Sequence, residues 1–126
     1  MSFKTPMGRV MGLGSAHEGV EHWWSQRVTS IALIPLTVLA VIPLGRSIGA
    51  GHEAVVATYS NPWNALVMIL LIAVTFRHLQ QGLQVVIEDY VHDKPWRTGL
   101  LLANTAFCWA VGLTGVFGVA KLAFGA

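Results

Sequence analysis

Three stretches of this chain run for 18 residues or more without a charged side chain, and they constrain the fold more than anything else. They extend from Val28 to Gly45 (18 residues), from Ala54 to Phe76 (23) and from Thr98 to Ala120 (23). About 20 mostly apolar helical residues cross the ~30 Å hydrocarbon core of a bilayer. A helix also satisfies its own backbone hydrogen bonds there, which an open strand cannot do. The sequence therefore predicts an all-α membrane protein with three transmembrane helices. Composition agrees, with 54% hydrophobic and 11% charged residues, the latter under half of the roughly 25% of soluble domains. At 126 residues the chain forms a single domain. One cysteine, Cys108, excludes a disulfide framework and a cysteine-based zinc or iron–sulfur site. Eight Lys and Arg are spread too thinly for a nucleic-acid surface.

The expected boundaries are an N-terminal tail over 1–22 and helices over about 23–45, 62–90 and 97–122. Ala57 to Asn61 reads as loop. Ser60 or Asn61 can cap the second helix, and Pro62 suits its first position, where a missing N–H costs nothing. The helical pattern continues past Phe76 to Tyr90, with Pro95 following a short polar stretch. Residues 62–90 would be roughly 43 Å long at the helical rise per residue. Pro35 and Pro43 should kink or end the first helix. Trp23, Trp24, Trp63 and Trp96 flank the spans, where tryptophan favours the headgroup boundary. Lys4, Arg9, Arg27, Lys94 and Arg97 fall on one side of the membrane, against Arg46 and Lys121 on the other. The positive-inside rule then puts the N-terminus in the bacterial cytoplasm or mitochondrial matrix and the C-terminus outside, in the periplasm if the membrane is a bacterial inner membrane. The 27-residue charged and aromatic stretch before Val28 is too long for an ordinary signal-peptide n-region.

The second helix carries the polar residues that hydropathy does not explain: Arg77, His78, Gln80, Gln81, Gln84, Glu88, Asp89 and Tyr90. Such side chains are costly in a span and face protein, water or a ligand. His78 lies roughly 24 Å from Pro62 and 18 Å from Tyr90 along the axis, near mid-membrane. Gly82 and Val85 share its face, and Asp89 lies eleven residues on, close to three turns and roughly 16 Å away. Gly82, one turn from His78, lets a flat ligand approach the backbone. A neutral imidazole at this depth can bind a metal, relay protons or satisfy a neighbouring helix. If it ligates a six-coordinate bis-histidine haem, a second histidine is needed at the same depth. His17 and His22 precede the first span, His52 lies in the outer loop and His92 in the inner loop. That ligand would come from another polypeptide, making this chain half of a membrane heterodimer. Arg77, costing ~3 kcal/mol on insertion scales, must snorkel or find an acidic partner. Glu88 and Asp89 oppose the macrodipole at a helix C-terminus, which argues for a specific role. Tyr90 suits an aromatic belt or a hydrogen bond to a quinone carbonyl.

Elsewhere the readings are structural. Arg27 either anchors the first helix or faces inward to hold an anionic propionate. Ser30 and Thr37 read as helix-packing residues. Gly112, Gly115 and Gly118 permit close packing of the third helix. Cys108 reads as inert core.

His78-x-x-x-Gly82 followed by Asp89-Tyr90 resembles the small hydrophobic anchor subunit of succinate dehydrogenase, the D-type chain of respiratory complex II. So does Trp24-x-Gln26-Arg27-x-Thr29 at the start of the first helix. The three-helix layout is similar to alphaproteobacterial members from about residue 20 onward. The resemblance implies half of a heterodimeric anchor bundle that holds haem b together with a C-type cytochrome b556 anchor subunit. It implies His78 as one axial haem ligand, Arg27 near the haem propionates, and Tyr90 with Asp89 at a ubiquinone site. Its other partners are an iron–sulfur subunit and a flavoprotein subunit. In such a complex this chain is a non-catalytic subunit, with no residue that handles succinate. The Arg77-His78 pair also occurs in C-type chains, so the C-type anchor of the same complex is the alternative within the family. Outside it stand a cofactor-free membrane scaffold and a small proton-coupled exporter. The exporter should carry an acidic residue deep in a helix, which the first and third spans lack.

Overall fold

The computed structural model describes residues 5–10 and 18–125. His17 lies outside these residues, as does most of the tail ahead of it. The described residues form five helices and no strand: α1 (Pro6–Val10), α2 (Glu18–Ser47), α3 (His52–Tyr59), α4 (Pro62–Tyr90) and α5 (Lys94–Phe124). α2, α4 and α5 are long and apolar enough to cross a membrane.

Local chemistry sets most of the ends. The Asn61 side chain accepts the Trp63 N–H at 2.9 Å, and Pro62 fills the first turn of α4. Asp93 does the same for α5, accepting the Trp96 N–H at 3.1 Å with Pro95 in the first turn. That cap draws Lys94 and Pro95 into α5, so the third span starts earlier than residue 97. α2 likewise begins before residue 23 and makes His22 helical. It also runs unbroken through Pro35 and Pro43 to Ser47. Each proline deletes one backbone donor, a loss that spanning helices tolerate. Beyond it, Gly49 and Gly51 turn the chain at positive φ of 78° and 86°, which glycine adopts without a Cβ penalty.

The stretch expected to be loop before Pro62 is largely α3, and His52 opens that helix. It packs against α2, α4 and α5 with Tyr59 buried and Ala54, Val55 and Val56 half-buried, while Ala57 is exposed. Polar links fix it further: the Ser47 hydroxyl donates to Thr58 Oγ1 at 3.1 Å, and Asn64 Nδ2 donates to the Thr58 carbonyl at 3.0 Å.

α4 is the centre of the bundle. It packs against α2 on one side and α5 on the other, and α2 and α5 do not touch each other among the described residues. A Cβ at Gly112 would lie 3.2 Å from Phe76 Cβ, and one at Gly115 would lie 3.2 Å from Ile72 Cγ2. These two glycines let α5 approach α4 closely. Gly118 faces open space instead and has no such part in this packing. Buried Asn104 ties the same pair, donating to the Gln80 carbonyl at 2.8 Å. Few large apolar side chains are buried, while Ile31, Ile34, Val38, Leu102, Phe107 and Phe117 all face outward. A surface this apolar belongs against lipid or another membrane chain.

Candidate functional site

The seam between α2 and α4 gathers the polar side chains. Ser25, Gln26 and Thr29 recur three and four residues apart, so they share one face of α2, and that face meets His78, Gln81 and Gly82. His78 is half-buried. Its Nδ1 lies 2.9 Å from Thr29 Oγ1, and its Nε2 lies 3.5 Å from Gln26 Nε2. The same Gln26 nitrogen would meet a Cβ at Gly82 at 3.6 Å. The Gln26 amide therefore occupies the cleft between the imidazole and the Gly82 backbone. One turn on, Gln81, only 1% exposed, donates to Ser25 Oγ at 2.7 Å.

The seam is not saturated. Gln26 Oε1, Gln81 Oε1 and His22 Nε2 are buried and have no hydrogen-bond partner. An unpaired buried polar atom costs about 1–3 kcal/mol, so three on one seam mark a surface suited to a further polar ligand or water. His22 precedes Gln26 by one turn, roughly 6 Å along the axis, so it does not share the level of His78. The seam of Ser25, Thr29 and Gln81 was missed in the sequence beyond the Gln26 and Thr29 motif. The small-polar spacing at 25, 26 and 29 was the signal available.

Arg77, one residue from His78, points to the other neighbour. Its Nη1 donates to Gln80 Oε1 at 2.7 Å, and it makes no ion pair among the described residues. With Gln80, Phe76, Trp109 and Gly112 it lines a cavity of about 140 Å³ between α4 and α5. Cys108 is buried beside it, its thiol 3.5 Å from Asn104 Oδ1. Arg27 is exposed, with its guanidinium carbon 5.4 Å from the centre of the Trp23 ring, which stacks on Trp24. That arrangement suits an anchor at the membrane boundary and leaves the guanidinium's N–H donors without a polar partner among the described residues. Ser30 donates to the Gln26 carbonyl at 2.8 Å within its own helix, and Thr37 is exposed.

Asp89 and Tyr90 close α4. Glu88 accepts from Gln84 Nε2 at 2.9 Å, whereas Asp89 and Tyr90 have no polar partner among the described residues. Tyr90 is 80% exposed. α4 is continuous from His78 to Asp89, which keeps the two on one stripe roughly 16 Å apart. No group of three or more His, Cys, Asp or Glu side chains among the described residues could hold a metal ion by itself.

The comparisons with known proteins agree with this layout. A family model described as the succinate dehydrogenase/fumarate reductase transmembrane subunit matches residues 1–117. A succinate dehydrogenase hydrophobic membrane anchor subunit of Paracoccus denitrificans is 35% identical over 126 residues, covering 100% of this chain and 97% of the relative. The protein of the same name from Rickettsia conorii is 29% identical over 107 residues, 84% of this chain and 85% of its own. A succinate dehydrogenase membrane anchor subunit of Reclinomonas americana is 29% identical over 82 residues, 63% of this chain and 68% of its own. No solved structure matches. A full-length relative at this identity and a family match over nearly the whole chain place it: the chain belongs to the succinate dehydrogenase/fumarate reductase transmembrane-subunit family, among its hydrophobic membrane anchors.

Proposed function

We propose that this anchor subunit supplies one axial ligand to a shared haem b and part of a ubiquinone-reduction site. His78 is the ligand, and Tyr90 with Asp89 contributes to the quinone pocket. The supporting observation is the seam around His78. One ring nitrogen is held by Thr29, and the other faces the Gln26 amide nitrogen, which also lies over the Gly82 backbone. The residues fit a porphyrin: Gly82 leaves the helix face flat, and the Gln26 amide beside it holds only one long polar contact, its Oε1 being buried without a partner. The unpartnered donors of Arg27, one residue from Gln26, suit an anionic propionate at the membrane boundary. The second ligand would come from a C-type anchor subunit, since His22, His52 and His92, the other described histidines, do not share the level of His78.

When bound, haem b exchanges single electrons with neighbouring centres. The chain's own work is positioning. His78 holds the iron's place, and the Gly82 face admits the macrocycle. Tyr90 donates a hydrogen bond to a quinone carbonyl at the membrane boundary, polarising it, and Asp89 beside it is a carboxyl group able to pass a proton to the reduced oxygen. Succinate oxidation belongs to the flavoprotein and iron–sulfur subunits. In this reading Tyr90 and the N-terminus face the cytoplasm and the C-terminus the periplasm, an orientation that the excess of Lys and Arg on the Tyr90 side supports.

Copurification tests the reading. An affinity-tagged copy expressed in its native membrane is expected to bring down a second three-helix anchor, an iron–sulfur chain, a flavoprotein and b-type haem. Recovery of an active assembly without haem would remove the ligand assignment and leave a cofactor-free anchor.

A further inference from the structure

We propose that Thr29 is a positioning residue for His78: its hydroxyl fixes the imidazole tautomer and ring orientation, so that the Nε2 lone pair faces the cofactor cleft. The inference rests on the reading of His78 as a haem ligand. Thr29 Oγ1 lies 3.0 Å from both the Ser25 and the Gln26 carbonyl oxygens and 2.9 Å from His78 Nδ1. The hydroxyl has one proton to give. Carbonyl oxygens can only accept, and two bare oxygen–oxygen approaches at 3.0 Å would repel. The proton therefore belongs on a backbone carbonyl, the usual arrangement for a helical threonine. The remaining contact must then run the other way, with His78 Nδ1–H donating to Thr29. Nε2 is left as the unprotonated nitrogen. The opposite side of the ring agrees, because what faces Nε2 is the amide nitrogen of Gln26, a donor turned toward a lone pair, at the outer limit of a hydrogen bond. The Thr29 contact thus requires this tautomer, and the Gln26 contact is compatible with it. Thr29 is itself anchored to its own helix, so the acceptor for Nδ1–H is rigid.

An acceptor of this kind orients a ligating imidazole and raises its basicity, and its loss typically weakens metal binding about 10–100-fold. The test compares Thr29→Val, Thr29→Ser and His78→Ala in the complete membrane complex. The readouts are haem retained per complex, ferric electron paramagnetic resonance of the haem, and its midpoint potential. Thr29→Val keeps the side-chain shape and removes the acceptor. It is expected to lose haem about tenfold or more faster, change the resonance spectrum and raise the potential, because a less basic imidazole stabilises the ferric state less. Thr29→Ser keeps the hydroxyl and should restore all three to wild type. A Thr29→Val complex with wild-type spectrum, potential and haem retention overturns the proposal. So does a Thr29→Ser complex that changes as Thr29→Val does, since the effect would then come from the methyl group. His78→Ala separates the two levels: full haem content in that variant defeats the ligand assignment itself, whereas haem loss there with silent Thr29 variants defeats the positioning role alone.

Discussion

Gly82→Ala and Gly82→Leu ask what a mid-helix glycine does in α4. A glycine inside a helix costs roughly 0.8–1.0 kcal/mol relative to alanine. Gly112 and Gly115 recover that cost, because a Cβ at either would press on α4 at 3.2 Å. Gly82 recovers nothing within its own chain. It sits in a regular helix, and a Cβ there would meet only Gln26 Nε2 at 3.6 Å, an ordinary contact with the mobile end of a side chain. On packing alone Gly82→Ala should be neutral or should stabilise α4 by up to about 1 kcal/mol. If Gly82 keeps the helix surface flat for a porphyrin, the added carbon must instead push into the ligand, and Gly82→Leu far more so. The assay is the haem-to-protein ratio of the purified complex from its b-type absorbance, read beside thermal stability and subunit composition. The expected result is a graded loss of haem, partial for alanine and near complete for leucine, with the four subunits still assembled. Full haem in Gly82→Leu would show that this face meets no macrocycle and would refute the reasoning.

Tyr90→Phe removes one neutral hydrogen bond worth about 0.5–1.5 kcal/mol. Quinone reduction should slow about two- to tenfold, with succinate oxidation by an artificial acceptor unchanged; equal quinone turnover would rule out the bond. Gly112→Val forces branched carbon against Phe76, where the Cβ alone already lies at 3.2 Å. It should destabilise the bundle by about 1–3 kcal/mol in detergent unfolding, whereas Gly118→Val, facing open space, should cost little. The Tyr59 hydroxyl is buried without a partner, so Tyr59→Phe should be neutral or stabilising by up to about 1 kcal/mol in thermal unfolding. Burial raises the Tyr59 phenol pKa. Its contribution therefore holds below the ordinary phenol range and fades as pH climbs through the raised value, a loss that the phenylalanine variant should not show.

The fold was largely legible because a bilayer leaves few options. Charge-free windows, the Asn61-Pro62 start and the Tyr90 end of α4 all follow from local rules, and the helices form where those rules put them. The misreadings arose where short-range signals conflicted. Ala57 to Asn61 looks like loop by composition, yet the apolar run before it continues the α3 helix to Tyr59. Pro35 and Pro43 could have ended the first helix, but α2 continues through both to Ser47, since each costs only one backbone donor. Which helices touch was not readable, since nothing in hydropathy says that α4 lies between α2 and α5. The polar residues on α4 stood out by their cost in lipid. Their partner Ser25 did not, and Thr29 stood out only through its motif, because small hydroxyl residues in a span usually only pack. Gly118 differs from Gly112 and Gly115 for the same reason: a glycine in sequence does not say what stands opposite.

The central claim is that His78 holds a haem shared with another subunit. The reduced-minus-oxidised absorbance spectrum of the complex purified with His78→Ala tests it most directly. The account predicts loss or marked alteration of the b-type bands, with the flavoprotein and iron–sulfur chains still oxidising succinate with an artificial acceptor. Unaltered bands at full intensity would contradict it.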